Sequence, residues 1–353
     1  MQKYTLAWLA FMAIERLDKG TIKKKSSPLY TKYSRTLVEW FMNYRDFVIQ
    51  GSWYPAEVFD DQDSSHILKY SPVVDETSTL ESISQMPVQK DMNYGTLPQY
   101  MQMKNTLAKD SILYRRVALQ WKAGNLADRC NAMYHTIVDN FKIQFKGEKG
   151  SPIAPTSNHM AMRFFMMAHY IADGHMPMHC DARKLEKIQE AIGTEWENAV
   201  KQSFEIDYDN NRFFYNRYGY PKKAGSGNSL IKKVEKHLSE REFGPSWGTD
   251  NKNLYDYMKV VTRYSCLMSY ELFPLGYEDM DLEAYKQTEA YKNFEKYSII
   301  LLSDAIDSIA RAWLKVWMDF HDWGPALKAE AAEEALAEQE RQEMEAANDA
   351  EEE

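Results

Sequence analysis

The run His169-Tyr170-Ile171-Ala172-Asp173-Gly174-His175-Met176-Pro177-Met178-His179 sets three potential metal ligands around one helix end. His169 and Asp173 are four residues apart, a spacing that stacks both side chains on one helical face. Gly174 and Pro177 oppose continuation of the helix, so the chain is expected to turn there and bring His179 back beside its end. Imidazole nitrogens and a carboxylate able to bridge two cations make a first shell suited to zinc. The alternative is a helix whose histidines only satisfy core hydrogen bonds.

Outward from that run the helical period recurs over Tyr4 to Leu17, Ser34 to Ile49, Asn125 to Phe145, Thr156 to Asp173, Lys184 to Gln202 and Tyr255 to Leu272. The longest candidate, Tyr297 to Phe320, repeats Ile299, Leu302, Ile306, Ile309, Trp313 and Trp317 as one apolar stripe and reads as a closing core helix. Gly, Pro, Ser and Asn cluster at 26–28, 55–65, 149–155, 221–228 and 243–248, which read as loops and not as domain boundaries. No strand alternation competes. The expectation is an all-α chain: one compact multi-helix domain over 1–325, followed by an acidic Ala/Glu-rich tail over 326–353.

The tail holds eleven acidic residues against Lys328 and Arg341, which is the whole of the chain's net charge of −9. The body is therefore neutral, and composition gives no case for a strongly basic nucleic-acid binder. With almost no large apolar residues the tail is expected to be solvated, docking on a protein partner being the alternative. No run approaches the roughly 18 apolar residues needed to span a bilayer. The apolar stretch Leu6 to Ile14 is short, lacks a convincing cleavage site, and reads as a buried first helix and not a signal peptide. Cys130, Cys180 and Cys266 are too scattered for a disulfide framework or a Cys-x-x-Cys site, which points to a cytoplasmic location. Cys180 adjoins His179, but a lone cysteine is ordinarily a small buried hydrophobe.

The 169–179 segment resembles the signature of the zinc-dependent phospholipase C family and the related single-strand-specific zinc nucleases, His-Tyr-x-Gly-Asp-x-(Asn/His)-x-Pro-x-His. Ala172 stands where the family has Gly. The resemblance implies a helical domain with up to three zinc ions, and phosphodiester hydrolysis by in-line attack of a metal-bound hydroxide. It also implies an early carboxylate and histidine, matched here by Glu57 and His66, with Asp60, Asp61 or Asp63 as other sources of the carboxylate. The family's later His-x-x-x-Glu pair falls on Gly193 and Glu197, so the glutamate is kept and the histidine is absent. The amino-terminal ligands have no counterpart, because the first histidine of the chain is His66. The implied metal ligands are then His66, His169, Asp173 and Glu57 at one site, with His179, Glu197 and the far oxygen of Asp173 at a weaker second one. Glu57 would be the general base, acting beside Asp173.

Among neighbouring residues, His175 is expected to hydrogen-bond and not to ligate, and His159 lies off the ligand face. Arg183 has the geometry to clamp a phosphate, against a default of a solvated charge. Two functions compete. The first is a metal-dependent phosphoesterase acting on a phospholipid, nucleic acid or small phosphodiester. The second is a catalytically degenerate helical binding or scaffold protein that retains one structural metal ion.

Overall fold

The computed structural model describes residues 1–20, 28–44, 49–59, 61–72, 119–147, 154–205, 217–225, 227–244, 253–321, 329 and 332–333. Eight helices of twelve residues or more make up most of it: α1 (Lys3–Gly20), α2 (Pro28–Asn43), α3 (Leu126–Lys146), α4 (Ser157–Gly174), α5 (Glu186–Ser203), α6 (Ser229–Glu240), α7 (Leu254–Leu272) and α8 (Phe294–Phe320). The long helices follow the apolar period within three residues at each end, except α2, which runs 28–43 where the period placed a helix over 34–49. Pro28, taken with Ser26 as a loop signal, is instead the first residue of α2, where its missing N–H costs nothing and its fixed φ suits a helix start. Helix α6 was not anticipated. It is short, and its four buried residues, Leu230, Ile231, Val234 and Leu238, make a narrow stripe capped by the Asn228 side chain on Leu230 N.

The described residues also contain one element of another type. Strand β1 (Lys69–Pro72) pairs antiparallel with β2 (Leu119–Ala123), Tyr70 standing opposite Trp121. Four and five residues are too few to show alternation in the sequence. The architecture is thus mostly helical, with this small hairpin added.

Helix α8 is the axis of the core. It packs against α1, α2, α3, α4 and α6, and it is buried on nearly every side. Its apolar surface is continued by tryptophans that also carry a polar tip: Trp313 Nε1 donates to Phe164 O at 2.8 Å, and Trp317 Nε1 to Thr36 Oγ1 at 3.0 Å. The helix is more polar inside than its apolar stripe suggests, because Asp304, Asp307 and Arg311 are all buried on it. Arg16 of α1 donates to Asp307 at 2.8 Å, and Arg241 bonds both Asp307, at 2.7 and 3.0 Å, and Asp304, at 2.7 Å. Burial alone would raise the Asp307 carboxyl, but Arg241, Arg16 and Arg311 outweigh it and hold the group at about 2.

No helix of the described residues is long and apolar enough to cross a membrane. Of the tail, only Ala329, Ala332 and Glu333 are described, all exposed, and the expectation for 326–353 otherwise lies outside the described residues.

Removing Asp307 leaves two buried guanidinium groups without their shared acceptor. Asp307→Ala is expected to cost about 3–5 kcal/mol of folding free energy, the range for breaking a buried ion pair from one side. Chemical denaturation of the variant checks this, and a loss under about 1 kcal/mol would show that the network contributes little.

Candidate metal centre

Helix α4 ends where the sequence says it should. Its last residue is Gly174, and a Cβ there would meet the tip of Met258 of α7 at 2.5 Å, a contact that the flexible methionine would have to move to relieve. Pro177 then opens a one-turn helix, Pro177–Cys180, which carries His179 back toward the end of α4. His179 Nδ1 stands 3.7 Å from Asp173 Oδ1, so the break returns His179 beside the helix end as expected.

The core of the site is tighter. His169 Nε2 lies 3.2 Å from Asp173 Oδ2, one helical turn away, and His66 Nδ1 lies 2.8 Å from the same oxygen. The two imidazole nitrogens are 3.1 Å apart. Ligands about 2.0–2.1 Å from a tetrahedral metal stand about 3.3 Å from each other, so these three atoms need open only by a few tenths of an ångström to receive an ion. His66, His169 and Asp173 thus form a group able to hold a metal ion.

A backbone carbonyl holds the His169 ring in the orientation a metal requires. His169 Nδ1 donates to Ser52 O at 2.8 Å, which leaves Nε2 as the lone pair facing Asp173. The turn carrying Ser52 can approach α4 because residue 51 is glycine, whose Cβ would otherwise fall 2.4 Å from Met162 O. His179 differs: its Nδ1, the nitrogen nearer Asp173, donates to His66 O at 2.8 Å, and Gln189 Nε2 meets its other nitrogen at 3.2 Å, so no lone pair of His179 faces the group of three. The His66 loop is itself stapled in place, by Leu68 N to His179 O at 3.1 Å, Leu126 N to Ile67 O at 3.1 Å and Asn125 N to Ser64 O at 2.8 Å. Gly124, at φ 89°, passes so close to Ile67 that no side chain would fit.

The remaining sequence candidates are placed elsewhere. Glu57 is 46 % exposed and pairs with Lys3 at 3.5 Å, outside the group formed by the two histidines and Asp173. Asp61 is nearer, bound by the Tyr170 hydroxyl. Glu197 is buried, but its oxygens accept from Tyr4 N at 2.9 Å, Thr5 N at 2.8 Å and Thr5 Oγ1 at 2.9 Å, so it caps the start of α1. Gly193 faces Gln2, 3.7 Å from where its Cβ would stand. His175 is fully buried and bonds Ser308 Oγ at 2.8 Å, a hydrogen-bonding role, while His159 is exposed. Arg183 is committed to Asp181, at 2.6 and 2.9 Å, and to Phe273 O at 2.6 Å. Burial pushes the Cys180 thiol well above its usual range, which opposes any use as a nucleophile.

Two features of the site go beyond the sequence reading. The sequence offered no counterpart to the family's amino-terminal ligands, yet the amino group of Met1 stands 3.4 Å from Asp173 Oδ1. Arg129, Tyr170 and Asp61 form a polar cluster against the His66 ring. Only Tyr170 belongs to the motif, and the other two lie far from it in the chain.

No family model, curated protein or solved structure matches the chain. Its chemistry is therefore argued from this geometry.

Burial would raise the Asp173 carboxyl, but His169, the Met1 amine and His179 together hold it well below the usual carboxylate range. Burial depresses His179 from 6.5 to about 4, against the opposing charge of Asp173. An ionised carboxylate beside a neutral imidazole is the protonation state that metal binding demands. Burial also lowers His175, to about 3. Between pH 6.5 and about 4 the unfolded chain therefore takes up protons at both histidines that the folded chain does not. Stability falls as pH drops through that window, and the depressed Asp173 carboxyl adds a loss of the same sign at lower pH. The expected result is a melting temperature of chelator-treated protein that declines steadily from pH 6.5 to 4. A flat profile in calorimetry would contradict the burial of neutral His179.

Proposed function

We propose that this chain is a zinc-dependent phosphoesterase. The observation that supports it most is the convergence of His66, His169 and Asp173 from separate segments, with His169 oriented by a backbone carbonyl as metal-ligating histidines are. Two imidazoles and a carboxylate suit zinc and leave a fourth position open, the composition of a catalytic and not a purely structural site. Zinc held there supplies an activated water near neutral pH and stabilises charge on phosphoryl oxygens. The resemblance of the 169–179 segment to the zinc phospholipase C and nuclease signature points to phosphodiesters as the substrate class: phospholipid, nucleic acid or a small diester.

Within this reading the roles differ from those the resemblance implies. Asp173 anchors the ion, and His179 lies on its second oxygen. Asp61 is 18 % exposed, and although burial would raise its carboxyl, the Tyr170 hydroxyl and Arg129 hold it below the usual range, so it anchors that pair and is not the proton acceptor.

A second reading is favoured by one specific observation. Glu197 is consumed in capping α1 and Gly193 supplies no ligand, so the further ion of the family lacks two of its donors. A helical binding protein with one structural ion would look the same at this position.

Two measurements separate the readings. Asp173→Ala is expected to lose its zinc and to melt at lower temperature than the zinc-loaded natural chain, because metal that binds only the folded state stabilises it by mass action. Unchanged zinc stoichiometry would remove the assignment. Hydrolysis of bis(p-nitrophenyl) phosphate by the natural chain should be abolished by chelator and restored by zinc, whereas one tightly held zinc with no turnover would leave the binding protein. Gly193→His tests the resemblance itself: the helix accepts a Cβ there, but with Glu197 spent on α1 the variant should bind no more zinc than the natural chain. An additional or tighter zinc in titration would show that Glu197 can leave its cap and that this position is the vacant ligand of the family.

A further inference from the structure

Arg129 stands beside the metal group without taking part in it. It lies in the first turn of α3, the part of that helix fastened to the His66 loop. Its Nη2 donates to the Tyr170 hydroxyl at 3.0 Å and lies 3.1 Å from Asp61 Oδ2, and the guanidinium sits 4.9 Å from the centre of the Tyr170 ring. That ring in turn lies 5.3 Å from the His66 ring. Tyr170 donates to Asp61, which closes the triangle.

Three contacts fix one edge of the guanidinium and leave the rest. Nη1 and Nε make no hydrogen bond to a described residue, and Nε is buried without a partner.

Side-chain exposure rises outward from the metal group, from 1 % at Asp173 and 2 % at His169, through 14 % at His66 and 18 % at Asp61, to 34 % at Arg129. Arg183, the other guanidinium near the motif, is 11 % exposed and engaged by Asp181 and Phe273 O.

We propose that Arg129 positions a phosphoryl group at the metal group, donating from Nη1 to one of its oxygens while Tyr170 and Asp61 hold Nη2 from behind. Those two partners fix the guanidinium in place, which they would not do for the flexible ammonium of a lysine. Asp61 keeps the group aimed and offsets part of its charge, so that product phosphate is not retained. This assignment rests on the phosphoesterase reading, since it supplies the oxyanion contact that the three metal-ligating side chains lack.

The test uses the full chain loaded with zinc and inorganic phosphate as the probe. Arg129→Ala and Arg129→Gln should keep their zinc content and melting temperature, because a partly exposed ion pair adds little to stability. Phosphate affinity by calorimetry should fall on the order of tenfold or more in both, with Arg129→Lys recovering only part of it. With bis(p-nitrophenyl) phosphate, KM should rise. Equal phosphate affinity in the alanine, glutamine and natural chains would overturn the proposal, and so would loss of zinc from both variants, which would make Arg129 a support for His66. The two readings fail separately. Turnover by the natural chain with unchanged KM in Arg129→Ala sinks the role of Arg129 and leaves the phosphoesterase, whereas Arg129-dependent phosphate binding with no turnover sinks the phosphoesterase and leaves the anion contact.

Discussion

A single buried carboxylate organises this molecule. Asp173 sits at the end of α4 with 1 % of its side chain exposed, and an ionised group so placed must be compensated on all sides. His66 and His169 meet one of its oxygens, while His179 and the Met1 amine face the other. Each comes from a different stretch of chain. The helix end, the returning turn, the early loop and the packing of α1 are thereby tied to one another through a charge that none of them could bury alone.

The second organising charge cluster, around Asp307, is built differently. There the compensating groups are arginines, whose guanidinium cannot be neutralised at any accessible pH, and the result is a permanent ion network within the core. Around Asp173 the partners are mainly imidazoles, which can release a proton and offer a lone pair. The same physical demand, balancing a buried carboxylate, has a structural solution in one place and a chemically versatile one in the other. Glu197 shows a third variant, in which backbone N–H groups of α1 satisfy the acid.

The legible part of this protein was what depends on local periodicity. Helical phase put His169 beside Asp173, and the Gly174 and Pro177 signals foretold the return of His179. Most long helices were visible for the same reason, and those that were not, such as α6, have a narrow apolar face. The hairpin was invisible because its strands are brief and widely separated in sequence. Contacts set by tertiary packing could not be read either. Glu57 matched a spacing, yet its side chain faces Lys3 and solvent, whereas Asp61 was one option among several until Tyr170 and Arg129 were seen to hold it. Arg183 had the right charge near the right motif, but Asp181 lies two residues away and takes it.

The His66 contacts join residues more than one hundred positions apart, to Asp173 and His169 along the side chains and to His179 through its carbonyl. Contacts of such separation form only after a large loop has closed, an entropic cost met late by most chains. The three-donor group therefore exists only once that loop has closed. An ion arriving earlier would find His169 and Asp173 but no third donor. Metal then acts on the rate of unfolding more than on the rate of folding, as a latch on the finished fold and not as its nucleus.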